Sequence, residues 1–153
     1  MNNSDNNQNF WKIRAANYDK LYWVHDKEYI NEILRLADMR TTHLALDVGT
    51  GGGTVAKAIK PLVRHVVAVD ISGAMLKQGD WNGISTLKWD IGESLFADNV
   101  FDRVFARMVF HHILDNLDLA ILRCYDLLRN GGKIVVAEGV PPTDEPYIVN
   151  WYT

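Results

Sequence analysis

An α/β fold, a doubly wound and mainly parallel sheet, is predicted by three observations. Short apolar runs alternate along the chain with stretches of helical spacing, a glycine-rich loop follows the first of those runs, and an acidic residue closes the second. Strands separated by helices require right-handed crossovers, and sheets so built bind ligands outside the carboxyl ends of their strands, at the switch point.

The elements follow in order. Residues 1–9, MNNSDNNQN, are polar and asparagine-rich and are expected to form a disordered tail. Residues 10–40 form a helical cap or lid, in which Leu21, Tyr22, Tyr29, Ile30, Ile33, Leu34 and Ala37 recur mostly at spacings of three, four and seven. Residues 41–153 make up the main domain. Thr41 and Thr42 break into a first strand, His43 to Val48, and the glycine loop leads to a helix from Thr54 to Ile59 that Pro61 closes. His65 to Asp70 is the second strand, and Ser72 caps a short helix through Leu76. Ile84 to Asp90 and Arg103 to Met108 are the third and fourth strands. Asp115 or Asn116 caps a helix striped by Leu119, Ile121, Leu122, Tyr125 and Leu128. Gly131 and Gly132 end it before a fifth strand, Lys133 to Ala137.

Composition narrows the function classes. With 153 residues, 48% hydrophobic and 23% charged, the chain suits one globular domain with a real core. A net charge of -3 supplies no overall basic field, so nucleic-acid substrates are not favoured. The single cysteine, Cys124, excludes a disulfide framework and reads as a small core residue in a reducing compartment. No apolar run approaches the roughly 20 residues of a membrane span, and no signal-peptide pattern opens the chain. A cytoplasmic protein is expected. No cluster of His, Cys and Asp has metal-ligand spacing, so no metal site is expected.

The glycine loop carries the chemistry. In LDVGTGGGTVA, Gly49, Gly51 and Gly53 follow a buried strand and open a helix, so backbone N–H groups can approach a ligand closely. Asp70 follows about twenty residues on, where a carboxylate can accept hydrogen bonds from ribose hydroxyls. The pairing suits an adenosine-type cofactor. A dinucleotide fingerprint needs G-x-G-x-x-G, but the sixth position from Gly49 is Thr54, and the register here is G-x-G-x-G. Asp47, two places before the first glycine, stands where dinucleotide strands carry an apolar residue. Both features disfavour a nicotinamide-dependent oxidoreductase.

An acid, one residue, then G-x-G-x-G resembles the first motif of the Rossmann-like S-adenosylmethionine-dependent methyltransferases. Three further segments extend the resemblance: WDIGESLFADNVFD from Trp89, VFARMVFHHI from Val104 and LLRNGGKIVVAEG from Leu127. In style they are nearest the small-molecule and quinone-biosynthesis branch, methyltransferase type 11. The resemblance implies a sheet ordered 3-2-1-4-5, S-adenosylmethionine as cofactor, S-adenosylhomocysteine as product, and methyl transfer to O, N or C of a small molecule. It also admits a homodimer. A non-catalytic cofactor-binding or partner subunit is the alternative of a different class. The family's last two strands are missing, and residues 141–153 are too few to supply them. The expectation is a fragment, with an exchanged or partner segment as the other explanation.

The resemblance also assigns residues. Gly49, Thr50, Gly51 and Gly53 surround the methionyl portion, and Asp70 with Ile71 holds the ribose. Asp90 accepts from the adenine amino group, with Ile91 beside the ring. Ala106 offers a carbonyl to the methionine amino group. Asp47 acts near that amino group or merely orders loop amides. Arg107 is unusual at its position and pairs with the cofactor carboxylate or with an acidic substrate. Tyr18 matches a lid residue, or simply anchors the leading helix. His111 and His112 are weak candidates for a general base, because imidazole titrates near neutrality, and a structural role is the safer reading. Glu138, at the same edge, is weaker still.

Overall fold

The computed structural model describes residues 3–139 except Asp19. Five strands, β1 (Leu44–Val48), β2 (His65–Asp70), β3 (Ser85–Lys88), β4 (Phe101–Arg107) and β5 (Leu128–Ala137), form one sheet in the order β3-β2-β1-β4-β5. Every pairing is parallel, with Leu46 opposite both Val67 and Val104. The helices are α1 (Asn3–Tyr18), α2 (Lys27–Ala37), α3 (Thr54–Ile59), α4 (Gly73–Leu76) and α5 (Leu117–Asp126). This is the predicted architecture and strand order.

Alternation along β1 builds both faces. Ala45 joins Val66, Ala68, Phe105 and Val135 under Ile33 and Ala37 of α2 and Val55, Ala56 and Ile59 of α3. Leu46 and Val48 join Val69, Val104 and Ala106 under Ala120 and Cys124 of α5. Arg103, only 5% exposed, ties α2 to the sheet by donating to the Ala37 and Asp38 carbonyls at the helix end. Asp26 caps the start of α2, accepting from the N–H groups of Glu28 and Tyr29.

Several boundaries differ from the sequence reading. The tail expected over residues 1–9 is helical from Asn3, because α1 is held further along by Phe10, Trp11, Ala15 and Tyr18. Once those turns exist, each added residue needs only one more hydrogen bond. Residues 1–2 and 140–153 lie outside the described residues. Ser72 caps α4 as predicted, through its hydroxyl to Met75 N–H, whereas Asn116 precedes α5 without a side-chain cap bond. Gly131 and Gly132 do not end α5. They lie inside β5, where the register jumps from Phe101–Leu128 to Arg103–Lys133, so Arg129 to Gly132 bulge opposite Asp102. Gly131 supplies the positive φ of 77° that such a bulge requires. β3 is shorter than predicted, because it is a sheet edge and Ile84 and Trp89 at its ends turn into the core.

Candidate active site

The loop between β1 and α3 is built by its own backbone. Thr50 N–H donates to Val69 O and Gly53 N–H to Thr50 O, while Gly49, Gly51 and Gly53 all take positive φ. A Cβ on Gly49 would sit 2.4 Å from a Val109 methyl, so the absence of a side chain there is a packing requirement. Gly53 is positioned by the ring of Trp81, 2.6 Å from where its Cβ would lie.

Two carboxylates beneath the loop hold it. Asp47 is 1% exposed and accepts from Thr50 Oγ1 at 2.6 Å and Ala56 N–H at 3.1 Å. Burial pushes its carboxyl up to about 7, against the pull of those two donors. Asp70 accepts from Gly51 N–H at 2.9 Å through one oxygen and from Ser72 N–H at 2.8 Å through the other. Its carboxyl is also raised by burial, with both N–H groups opposing. Of the two roles considered for Asp47, ordering the loop is the one seen in its hydrogen bonds. Asp70 serves the loop as well, while still lining the cleft above it.

Two clefts meet at Tyr18, Gly49, Gly51 and Met108. The smaller, ≈ 360 Å³, has Asp47 and Thr50 at its base and Trp23, Val24 and Arg107 around it. The larger, ≈ 660 Å³, is bounded by Asp70, Ile71, Asp90 and Ile91 toward β2 and β3, and by Trp11, Val109 and His112 toward the lid and β4. Asp90 accepts from Gly92 N–H at 3.0 Å, which fixes its turn. Thus Asp47, Gly49, Thr50, Gly51, Asp70, Ile71, Asp90, Ile91, Tyr18 and Arg107 are brought together. Gly53 and Ala106 line neither cleft; Ala106 is buried in the ladder.

Arg107 departs most from its expected role. Its guanidinium donates to Trp23 O at 2.6 Å and Val24 O at 3.0 Å, and lies over the rings of Tyr29 and Trp23. It grips the lid. Tyr18 anchors the end of α1, edge-to-face with Trp11 and Trp23 at ring separations of 5.4 and 5.5 Å.

The histidine pair divides. His112 lines the large cleft, edge-to-face with Trp11 at 4.8 Å, and burial followed by the neighbouring His111 lowers it to about 4. An imidazole so lowered is neutral at pH 7 and a weak base, which counts against general-base work. His111 Nδ1 lies 2.6 Å from Glu138, whose other oxygen accepts from the N–H groups of Val109 and Phe110, each at 2.8 Å. Burial alone would raise Glu138, but His111 and the two N–H groups outweigh it and hold the carboxyl low. Sequence reasoning missed Met75, Met108, Val109 and Trp81. Met75 and Trp81 carry no motif signal and reach the loop or the clefts through tertiary packing, whereas Met108 and Val109 lie inside the segment VFARMVFHHI, whose pattern does not single them out. Among the described residues no group of His, Cys, Asp and Glu is arranged to hold a metal ion.

A family model described as methyltransferase domain matches residues 46–136. The chain belongs to that family. The matched span of this methyltransferase domain runs from β1 to the penultimate residue of β5 and contains both carboxylates under the loop. The demethylmenaquinone methyltransferase of Porphyromonas gingivalis is 28% identical over 148 residues, covering 87% of this chain and 60% of that protein. The ubiquinone/menaquinone biosynthesis C-methyltransferase UbiE of Coxiella burnetii is 31% identical over 119 residues, covering 71% and 47%. The chain therefore spans about half to three-fifths of the length of the curated relatives it matches. The solved N-methyltransferase NodS of Bradyrhizobium japonicum WM9, in complex with S-adenosyl-L-homocysteine, superposes with a TM-score of 0.74 at 20% identity. It covers 88% of this chain and 72% of that one, a likeness of fold.

Proposed function

We propose that this chain is the cofactor-binding part of an S-adenosylmethionine-dependent methyltransferase acting on a small molecule. The observation that carries the reading is the pair of joined clefts. One has a buried carboxylate beneath a glycine loop, and the other is flanked by acids at the ends of β2 and β3. That arrangement suits a ligand with an adenosine at one end and an amino acid at the other. In this reading Asp90 and Ile91 face the adenine, Asp70 and Ile71 the ribose, and Gly49 to Gly51 the methionyl chain above Asp47. Helix α1 and the turn Tyr22–His25, gripped by Arg107, form the lid.

The cofactor, when bound, supplies a methyl group already activated on a sulfonium. The residues need only align an acceptor about 3 Å from that carbon and keep water out. Consistent with that, the cleft offers walls and not a strong base. The experiment is calorimetric titration of the protein with S-adenosylhomocysteine and, separately, NADH, on the wild type and on Asp90→Ala. Binding of S-adenosylhomocysteine that weakens about tenfold in the variant is expected from loss of one hydrogen-bonded contact. Binding of NADH instead, or of neither, would overturn the reading.

A further inference from the structure

We propose that Trp81, on the connection between α4 and β3, is a positioning residue that sets the grip of the glycine loop on the amino-acid end of the ligand. The proposal deepens the cofactor reading above and rests on it for the identity of that ligand.

Trp81 stands behind the loop. It lines neither cleft and is half-buried against the core layer that holds α3. Its indole N–H donates to Leu76 O, the last residue of α4, at 2.7 Å. So anchored, the ring occupies space that a side chain at either of two glycines would need. A Cβ on Gly53 would lie 2.6 Å from the indole, and one on Gly79 would lie 2.3 Å from it. The Gly79 Cβ would also come within 2.9 Å of Gly52 O, so this connection packs directly on the loop backbone.

The loop at this point depends on outside support. Gly53 has a left-handed φ of 89°, its N–H closes onto Thr50 O at 2.9 Å, and its carbonyl accepts Lys57 N–H at 2.9 Å. Gly52 and Thr54, on either side of it, line the smaller cleft. Glycines restrict their own backbone least, so packing from behind must supply the order that a ligand would otherwise impose on binding. Lys57 ties the same place from α3. Its ammonium donates to Gly52 O at 2.9 Å and lies 5.9 Å from the Trp81 ring centre, within cation–π reach. Trp81 thus backs Gly53 directly and Gly52 through Lys57.

The large cleft takes its loop wall from elsewhere. Its loop residues are Gly49 and Gly51, where a Cβ would face Val109 in the first case, and Met75 and Tyr18 in the second. Removing the indole should therefore loosen the amino-acid end of the site and spare the adenosine end.

The test compares S-adenosylhomocysteine with 5′-methylthioadenosine, which keeps the adenosine and the sulfur but ends in a methyl group. Both are titrated calorimetrically into the wild type, Trp81→Ala, Trp81→Phe and Gly79→Ala. Trp81→Ala should weaken S-adenosylhomocysteine about tenfold and leave 5′-methylthioadenosine within about twofold, since small misplacements of a binding group are costly only to the part it holds. Trp81→Phe, which keeps a ring, should fall between wild type and Trp81→Ala. Gly79→Ala displaces the indole or Gly52 O and should show the same selective loss, so these two variants carry the comparison if Trp81→Ala does not fold. In the ligand-free protein, hydrogen exchange at the Gly53 amide should quicken about tenfold in the variants while β1 amides keep their protection. Equal weakening of both ligands, unchanged S-adenosylhomocysteine affinity, or unchanged exchange at Gly53 overturns the proposal. If the wild type binds neither ligand while Gly53 exchange still answers to Trp81, the cofactor reading fails and the hold of Trp81 on the loop stands.

Discussion

Asp47 concentrates the chemistry of the loop in one carboxyl. Its ordinary value is 3.8 and burial takes it to about 7 in the folded chain, so between those values the native state keeps a proton that the unfolded chain has released. The contribution to stability is complete below about 4 and is lost as pH rises through 7, at a limiting slope of about 1.4 kcal/mol per pH unit. Asp47→Asn retains an oxygen for Thr50 and Ala56 but has nothing to titrate. Melting temperatures measured at pH 6, 7 and 8 should fall more steeply for the wild type than for the variant. Parallel curves would mean that Asp47 is ionised throughout. The position of this acid was legible from its place before the glycines, whereas its two donors were not, since Ala56 N–H reaches it only once α3 has formed.

Among the elements, β1, α3 and β2 were the most legible, and α3 and β2 begin and end where their residues predict. Both faces of β1 and β2 are buried, so apolar continuity and length define them without help from distant residues. β5 was the least legible, because its bulge answers to Asp102 on a strand that precedes it by a whole crossover. The segment before β1 was legible as helix, and its clamp to Arg107 was not. Nothing near Arg107 in sequence shows that its partners are Trp23 and Val24, far earlier in the chain. Removing the clamp in Arg107→Leu should leave the sheet intact, because β4 pairs on both sides through backbone bonds. Hydrogen bonds from a charged donor are worth about 1.5–3 kcal/mol, so amide exchange at Val24 and Asp26 should quicken about tenfold or more while β1 and β2 amides keep their protection. Unchanged exchange at those two amides would show that the turn Tyr22–His25 stands without Arg107.

At the scale of the molecule, the two core layers share one sheet, and Cys124 reports on their union. It is fully buried between α5 and the sheet, and burial pushes its thiol up to about 12. Its reaction with a thiol reagent should therefore be limited by opening of the structure, and its rate should match the rate of global unfolding measured by circular dichroism. Labelling much faster than unfolding would show α5 detaching alone. The outer face of α5 is a different matter, with Leu119, Ile121, Leu122 and Tyr125 all exposed, and Ile134 and Val136 exposed on the outermost strand beside it. The strand order also fixes a timetable for synthesis. A ribosome releases β1 first and β2 next, and β3 emerges to complete one edge of the sheet before β4 does. Until Phe101–Arg107 emerges, the strand bearing Asp47 and leading into the glycine loop offers one bare ladder of N–H and C=O groups to the cell. The centre of the sheet is thus sealed after its β2–β3 edge, and a nascent chain that has emerged as far as β3 but not β4 would present that sticky margin to any passing strand.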